Sequence, residues 1–255
     1  MSNGSARGRR LWGDGRLSGV AHRGAPRYAP ENTLAAFRLA LEEGARSIEC
    51  DVQRTKDGHL VVIHDQTVDR TTDGHGPVGS FTLNELRRLD AGRWFAPDFG
   101  GERIPLLDEV LTLLRGRALL RLEIKNAPTI YGGIEEQVVD AIRRQRMEED
   151  VLVTSFDHES VRVVRTLSQQ IATGIIYTAR LVDAPAAARA AGADALCINW
   201  AYVTRGVVAH AHREGLRVFA WPVDDEERFR HCLDCGVDGI TSNDHRLLAR
   251  LLGWT

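Results

Sequence analysis

A single pattern of apolar and polar positions recurs along this chain. A run with helical spacing of its apolar residues ends at a glycine, a small or aliphatic residue follows, and a short β-rich segment comes next. The clearest copies are residues 42–52, 190–199, 213–221 and 234–242. Glycine just past a helix, with a buried strand soon after it, is typical of a tight connection from a helix to a strand. The repeat therefore predicts alternating strands and helices.

The number of repeats predicts the architecture. Further apolar segments at residues 18–24, 119–125, 151–156 and 172–177 raise the number of candidate strands to eight. Amphipathic runs such as residues 32–43 and 134–145 separate most of these strands. Eight alternating units within 255 residues predict an α/β fold, the TIM (β/α)8 barrel. A doubly wound open sheet stays as the alternative, although its usual GxGxxG turn is not matched by residues 22–27.

One stretch, from about residue 53 to residue 108, interrupts the repeat. It begins with a hairpin signal at residues 56–58 and continues through the strand-like residues 60–65. A glycine-rich polar loop and an aromatic patch at residues 94–99 follow, before a helix that starts near Leu106. We expect an insertion after the second barrel strand. It would border the carboxyl end of the barrel, where active sites lie in this architecture.

Composition and charge narrow the class of protein. With 43% apolar and 27% charged residues, the chain has the composition of a globular protein and not of a disordered one. Its net charge of −2 excludes a basic surface of the kind that binds nucleic acid, so we expect no nucleic-acid partner. We expect a flexible tail over residues 1–17 and a single domain over residues 18–255.

The sequence also bears on the location of the protein. No apolar stretch approaches the roughly 20 residues that cross a bilayer, so we expect no integral membrane segment. The first residues include arginines but neither the apolar run nor the cleavage site of a secretory signal. The cysteines are expected to be free thiols, which favours a reducing compartment and a cytoplasmic protein; they are Cys50, Cys197, Cys232 and Cys235. The oligomeric state stays open.

Acidic side chains cluster at the ends of two predicted barrel strands. Because side chains alternate along a strand, Glu49 and Asp51 share one face of the second strand. Glu123 and Lys125 share a face of the next barrel strand in the same way. Three carboxylates without compensation would be costly to bury, and hard oxygen ligands favour Mg²⁺ or Ca²⁺ over zinc. The alternative is a salt-bridge network in which Arg23, Arg54 or Lys125 neutralises the carboxylates.

Two histidines are predicted at a similar depth. His22 ends the first strand and His64 ends the strand-like segment of the insertion. Since imidazole titrates near neutral pH, such a pair can supply one general base and one general acid. Arg23 follows His22 directly, and its planar guanidinium suits a bidentate grip on phosphate.

The ordered combination of these motifs closely resembles the glycerophosphodiester phosphodiesterase family. The motifs are HRGAPRYAPENTLAAF at residues 22–37, ECD at 49–51, HD at 64–65, RTTDG at 70–74 and EIK at 123–125. The similarity extends from about Val20 to the last predicted helix. It implies a TIM barrel that hydrolyses glycerophosphodiesters to glycerol 3-phosphate and an alcohol with one divalent cation, as part of lipid and glycerol metabolism.

The resemblance also implies roles for individual residues. Glu49, Asp51 and Glu123 correspond to metal ligands, and His22 and His64 to the acid/base pair. Arg23 and Lys125 correspond to phosphate-binding cations, so that the expected partner is a small glycerophosphodiester. In the PENT motif, Glu31 and Asn32 are expected to begin and cap the first helix, with Glu31 reaching the site as the alternative.

The remaining expectations concern the walls of the pocket. Trp221 is expected in the pocket wall, with a core position as the alternative, and Phe156 at its mouth. The family commonly shows WTVN and TDxP after its last two strands, whereas this chain has WPVD at residues 221–224 and TSNDH at 241–245. These departures bear on substrate selectivity. The other histidines are expected in solvated positions; they are His59, His75, His158, His210, His212, His231 and His245.

The hypothetical mechanism is attack on phosphorus by the glycerol 2-hydroxyl, with a cyclic phosphate that water then opens. One histidine would deprotonate the hydroxyl and the other would protonate the leaving alcohol, in an order that the sequence leaves open. Three alternatives are a barrel enzyme acting on lysophospholipids or sphingomyelin, a phosphate-binding module without catalysis, and an interaction protein. The first would need an aliphatic groove, for which residues 94–99 are the candidate.

Overall fold

The computed structural model describes residues 17–254, so that the predicted tail lies outside the described residues except for Leu17. The strands are β1 (Ser18–Ala21), β2 (Ser47–Arg54), β3 (Leu60–Val62), β4 (Leu119–Ile124), β5 (Val151–Ser155), β6 (Ala172–Tyr177), β7 (Ala195–Asn199), β8 (Arg217–Trp221) and β9 (Gly239–Ser242). The α-helices are α1 (Leu34–Glu42), α2 (Leu83–Leu86), α3 (Leu107–Leu114), α4 (Ile134–Gln145), α5 (His158–Leu167), α6 (Ala184–Ala191), α7 (Arg205–Arg213), α8 (Glu226–Cys235) and α9 (His245–Leu252). Short 3₁₀ segments occur at Val78–Ser80, Pro97–Phe99 and Trp200–Tyr202.

Eight parallel strands close into a barrel. The order around the sheet is β1-β9-β8-β7-β6-β5-β4-β2, and a β1–β2 pairing closes the ring. Within residues 17–254, helices connect consecutive barrel strands from outside, which is the TIM (β/α)8 architecture. The predicted fold class is therefore confirmed, and the doubly wound open sheet is excluded.

The glycines of the recurring pattern end helices as expected. Gly192 follows α6 and Gly236 follows α8, both in the left-handed conformation that an L-residue adopts at a cost. In each case the chain enters the next strand within three residues. This tight return lets each helix pack against the strand that it connects.

The barrel strands bury one face against the helices and the other inside the barrel. The outer layer includes Ile48, Cys50 and Val52 of β2 together with Leu122 and Ile124 of β4. The inner layer is a smaller apolar cluster, composed of Leu152, Ala172, Ile176, Ala195, Cys197 and Phe219. Since the outward positions are apolar, the alternate positions of β2 and β4 are left to carry polar groups into the barrel.

The predicted insertion lies between β2 and α3. Its strand β3 pairs antiparallel with β2, in the register that sets Val52 opposite Val62. The insertion has its own apolar core, formed by Val61, Ile63, Val68, Val78, Leu86, Ala91 and Ile104. Because β3 pairs with the carboxyl half of β2, the residues that follow β3 lie beside the mouth of the barrel.

The expectation that Glu31 and Asn32 begin and cap the first helix is wrong. α1 begins at Leu34, and its cap is Thr33, whose side chain accepts a hydrogen bond from the Ala36 N–H. Asn32 has a positive φ of 57° and donates its side-chain amide to Asp51, so that it cannot serve as the cap. The alternative for Glu31 is confirmed, because its carboxylate reaches Arg23.

One histidine expected to be solvated is buried. His245, the first residue of α9, is fully buried, with its Nε2 2.5 Å from Glu43 Oε2 and the Tyr28 ring edge-on at 5.4 Å. The contact fastens the last helix to the end of α1. The other six, His59, His75, His158, His210, His212 and His231, are exposed or half-buried as expected.

Two further features bear on the class of protein. All four cysteines are free thiols, and Cys232 and Cys235 lie on α8 as ordinary helix residues. No helix within the described range combines the length and the apolar character needed to cross a membrane.

Candidate active site

Three carboxylates converge inside the carboxyl end of the barrel. Glu49 and Asp51 extend from β2, and Glu123 extends from β4. The parallel register sets Asp51 directly beside Glu123, so that one oxygen of each carboxylate lies within 4.8 Å of the others. All three residues are buried, Asp51 completely. The alternation along the two strands thus brings together the acidic cluster that the sequence predicts.

Two cations partly neutralise this acidic cluster. The Arg23 Nε lies 3.4 Å from Asp51 Oδ2, and the backbone N–H of Arg23 donates to Glu49 Oε2 at 3.0 Å. Lys125 Nζ lies 2.7 Å from Glu123 Oε1 and 3.6 Å from Asp51 Oδ1. Arg23 and Lys125 therefore lie beside the carboxylates as expected. Their ion pairs are also part of the salt-bridge network that was the alternative to a metal site.

The pKa values show that the neutralisation is incomplete. Despite its burial, Asp51 has a pKa well below the usual range, because Arg23 and Lys125 favour its charged form. Burial and the charge of Asp51 raise the pKa of Glu49, and they raise the pKa of Glu123 to about 7. The cluster therefore holds more carboxylates than its two cations can keep ionised at neutral pH.

This donor set fits a divalent cation of the hard type. In the described part of the chain, Asp51 Oδ1 is buried and receives no hydrogen bond. An oxygen of this kind, beside two carboxyls with raised pKa values, gains most from a third positive charge. The ligands are oxygen atoms only, which favours Mg²⁺ or Ca²⁺ over zinc.

His22 is held by a network at the end of β9. Its Nδ1 lies 2.7 Å from Asn243 Oδ1, and the Asn243 side-chain amide donates to Asp224 Oδ2 at 2.8 Å. The other oxygen of Asp224 accepts from the Asn243 backbone N–H at 2.8 Å and from the Ser242 hydroxyl at 3.1 Å. The two departures from the family pattern, Asp224 and residues 241–245, therefore contact each other behind His22.

His64 is held by residues of the insertion. Its Nδ1 lies 2.6 Å from Asp65 Oδ1, and Arg70 donates to Asp65 and, through two bonds of 2.8 Å, to Glu31. Glu31 in turn accepts from Arg23 at 2.9 Å. An unbroken chain of charged groups thus connects His64 to the acidic cluster.

Gln53 fixes the backbone around His64. Its side-chain amide lies 3.1 Å from the carbonyls of Ile63 and His64 and 2.6 Å from that of Asp65, while Tyr131 donates to its Oε1 at 3.1 Å. Gln53 was not among the residues predicted for the site. The alternation that identifies Glu49 and Asp51 continues to Gln53 and is the signal that would have identified it.

Both imidazoles are desolvated. Burial and the neighbouring Arg23 lower the pKa of His22 to about 4. Burial also lowers the pKa of His64, although Asp51 and Asp65 oppose the shift. With both Nδ1 atoms engaged by acceptors, Nε2 is the nitrogen left to react in each ring, and Nε2 of His22 lies 3.7 Å from Glu49 Oε2.

The histidines and the acidic cluster border a cavity of about 280 Å³. Phe156 and Trp221 line its opposite side, packed edge to face with ring centroids 5.5 Å apart. The indole N–H of Trp221 donates to the Cys197 carbonyl at 3.0 Å. The structure thus places both aromatic residues at the cavity wall, and Trp221 also contacts the barrel interior.

The aromatic patch at residues 94–99 does not line this cavity. Its rings pack edge to face, with centroid distances of 5.8 Å for Trp94–Phe95 and 5.5 Å for Phe95–Phe99. The indole N–H of Trp94 donates to the Ala91 carbonyl within the insertion. The groove that a lysophospholipid would need is therefore not formed by this patch.

An unpredicted cation, Arg121, lines the inner end of the cavity. It lies on β4 two residues before Glu123 and beside Glu49 of β2. Its guanidinium carbon lies 3.6 Å from the centre of the Phe219 ring. Burial lowers the pKa of Arg121 to about 10, which still leaves the side chain charged at neutral pH.

Comparison with known proteins shows extensive similarity. Residues 22–247 match the model of the glycerophosphoryl diester phosphodiesterase family. A glycerophosphodiester phosphodiesterase of Caldanaerobacter subterraneus subsp. tengcongensis is 43% identical over 234 residues, which cover 91% of this chain and 96% of that relative. The crystal structure of a glycerophosphodiester phosphodiesterase from Agrobacterium tumefaciens has a TM-score of 0.81 and 35% identity, covering 92% of this chain and 100% of that chain. A structure of an Oleispira antarctica phosphodiesterase in complex with the product sn-glycerol-3-phosphate has a TM-score of 0.83 and 28% identity, covering 92% of this chain and 96% of that chain.

The raised pKa of Glu123 predicts a pH dependence of stability in EDTA. A carboxyl group whose pKa is raised in the folded state destabilises the fold when it ionises. Through Glu123, the free energy of unfolding of the wild type therefore falls as pH rises from about 4.5, the ordinary pKa, to about 7, the pKa in the folded state. Glu123→Gln cannot ionise at this position. We expect its melting temperature, relative to that of the wild type, to increase between pH 5 and pH 8. A difference that stays constant with pH would contradict the unbalanced charge of the cluster.

Proposed function

Because this chain belongs to the glycerophosphoryl diester phosphodiesterase family and is a hydrolase of glycerophosphodiesters, we propose that His22 and His64 move the protons while a divalent cation neutralises the phosphate. The observation that carries this proposal is the pair of histidines, each held through Nδ1, at one cavity with the acidic cluster. Proton donors and acceptors with fixed orientation are what acid/base catalysis at phosphorus requires.

The cation would be Mg²⁺ or Ca²⁺, held by Glu49, Asp51 and Glu123, and it would supply Lewis-acid polarisation of the phosphoryl oxygens. Arg23 and Lys125 both border the cluster. Their positive charges would favour the binding of an anionic substrate there and stabilise the negative charge that develops on the equatorial oxygens of the phosphate. Phe156 and Trp221 would contact the remainder of the substrate across the cavity.

The partners of the two imidazoles support different first-step roles. The Asn243 amide nitrogen donates to Asp224, which turns the Asn243 side-chain oxygen toward His22, and this oxygen accepts a hydrogen bond from the Nδ1–H of His22. Nε2 of neutral His22 then carries the lone pair and can act as the base. His64 instead faces the carboxylate of Asp65, which stabilises a proton on this ring against the lowering of its pKa by burial, so we assign His64 as the acid.

The two steps balance as follows. In the first step, the glycerol 2-hydroxyl gives its proton to His22 Nε2 and forms a bond to phosphorus. The bond from phosphorus to the leaving alcohol breaks, and the departing oxygen takes a proton from His64 Nε2. In the second step, water gives a proton to His64 and attacks the cyclic phosphate, and the 2-oxygen takes the proton back from His22. The products are glycerol 3-phosphate and the alcohol.

The wider setting is part of the proposal. The free thiols fit a reducing compartment, which supports a cytoplasmic enzyme of lipid and glycerol metabolism. We also propose that residues 18–255 act as one domain. The insertion shares β2 with the barrel, and Arg70 of the insertion contacts Glu31, which also accepts a hydrogen bond from Arg23.

The direct test is a panel of glycerophosphodiesters with different alcohols, assayed for glycerol 3-phosphate in EDTA, Mg²⁺ and Ca²⁺. We expect turnover with a cation, loss in EDTA and recovery when the cation is restored, because the cluster lacks one positive charge. Full turnover in EDTA would contradict the metal requirement. Release of no glycerol 3-phosphate from any diester would contradict the function, and faster cleavage of lysophosphatidylcholine would favour the lysophospholipid alternative.

The histidine roles are tested with two leaving groups. We expect His22→Ala and His64→Ala each to lower kcat by roughly 10²–10⁴-fold on a choline ester. A p-nitrophenyl ester needs no protonation of its leaving group, so it should restore the first step in His64→Ala only. The control is His75→Ala, since His75 is exposed and lies in the insertion away from the cavity lining. Restoration in His22→Ala instead would reverse the two roles.

A further inference from the structure

Arg121 is a buried cation at the cavity. It is only 5% exposed, and what remains exposed borders the inner end of the cavity. Among residues 17–254, no carboxylate oxygen lies within 4 Å of its guanidinium nitrogens, and its guanidinium carbon lies 3.6 Å from the centre of the Phe219 ring. A guanidinium has five N–H donors that need acceptors when it leaves water. These donors therefore face space that a ligand can fill.

Arg165 shows what a structural arginine of similar burial looks like in this chain. It is 8% exposed, and its nitrogens donate to the carbonyls of Gly192 and Ile171 and to the carboxylate of Asp194. Such contacts repay the loss of water. Arg121 has no equivalent set, and a cation–π contact alone satisfies none of its N–H donors in the plane of the guanidinium.

The depth of Arg121 indicates which part of a substrate it meets. Along β4, a rise of about 3.3 Å per residue puts Arg121 about 6–7 Å deeper in the barrel than Glu123, and Lys125 lies one further step toward the mouth. The phosphate has its cations at the level of Arg23 and Lys125. Phe156, at 42% exposure, marks the open side of the cavity.

A glycerophosphodiester has one variable and one constant half. The variable alcohol needs the open side, so the constant glycerol half enters the closed inner end. Once the 2-hydroxyl is turned toward phosphorus, the terminal hydroxyl is the remaining acceptor on that half. It then lies on the side of the phosphate that faces Arg121.

We propose that Arg121 donates a hydrogen bond to the terminal glycerol hydroxyl and thereby selects glycerol esters over diesters of other 1,2-diols. This role rests on the proposed function of the same cavity and adds the residue that recognises the glycerol half. A hydrogen bond from a charged donor changes affinity by about 10- to 100-fold. Selection by a site built for a hydroxyl is strong because the analogue leaves the buried donor unpaired.

The test compares two choline phosphodiesters in the presence of the cation. One is the ester of glycerol 3-phosphate, and the other is the ester of propane-1,2-diol 1-phosphate, which keeps the attacking hydroxyl but lacks the terminal one. The wild type should prefer the glycerol ester by about 10- to 100-fold in kcat/KM. Arg121→Met should remove this preference, lowering kcat/KM on the glycerol ester and leaving the propanediol ester within about 3-fold, as a double-mutant cycle requires.

Controls separate recognition from structure. Arg117→Met replaces an exposed arginine at the other end of the barrel and should keep the preference. Arg121→Lys keeps the charge with fewer donors and should show an intermediate preference. Inhibition of the wild type by glycerol 3-phosphate and by propanediol phosphate needs no variant, so it tests the proposal even where Arg121→Met does not fold; glycerol 3-phosphate should bind at least 10-fold more tightly.

Each other outcome overturns the assignment in a distinct way. An equal loss on both esters in Arg121→Met would make Arg121 a phosphate-binding or structural residue. Retention of the full preference, or equal inhibition by the two products, would show that Arg121 does not contact the terminal hydroxyl. Absence of turnover on both esters by the wild type would contradict the proposed function itself, and the role of Arg121 with it.

Discussion

The burial of three carboxylates at the ends of two neighbouring strands is the constraint on which the rest of the site depends. Burying an ionised carboxylate costs several kcal/mol unless opposite charge and hydrogen bonds compensate it. Arg23 and Lys125 provide part of this compensation, and the side-chain amide of Asn32 donates a hydrogen bond to Asp51. The raised pKa values of Glu49 and Glu123 mark the part that remains uncompensated. In the proposed function a divalent cation would supply the missing charge, and the resulting excess of positive charge would suit a phosphodiester.

The insertion matters because it carries one of the two histidines to a cluster built by the barrel. The insertion packs around a hydrophobic core of its own, and Gln53 connects the backbone of residues 63–65 to β2. Arg70 and Glu31 then extend the connection to Arg23. His22, by contrast, is oriented by Asn243 and Asp224, and Asn243 directly follows β9, which pairs with β1 on the edge away from β2. The two imidazoles are thus positioned by different groups: a neutral amide contacts His22 directly and a carboxylate contacts His64 directly, which is the asymmetry that the proposed base and acid need.

Periodicity predicts the parts of this arrangement that follow from strand geometry. The alternation in β2 and β4 predicts that Glu49, Asp51 and Glu123 lie together, and the glycine-terminated repeats predict the barrel; the structure has both. Side chains that act across large sequence separations could not be predicted in this way. Asn243 is 221 residues from His22, and no local pattern indicates that their side chains meet. Asn32 is a residue type that often caps helices, but here its side-chain amide donates to the buried carboxylate of Asp51 instead. The burial of His245 was missed for a similar reason, because its partner Glu43 is 202 residues away in the sequence.

The proposed function requires the acidic cluster to bind one divalent cation in exchange for protons. Isothermal titration of Mg²⁺ or Ca²⁺ into EDTA-treated protein, near pH 6 and in two buffers of different ionisation enthalpy, measures both quantities at once. We expect one site per chain and release of protons on binding, because the pKa of Glu123 is about 7 without the cation and burial raises that of Glu49 as well. Asp51→Asn should abolish the site. Absence of binding by the wild type, or binding that Asp51→Asn leaves unchanged, would show that the acidic cluster is not the cation site.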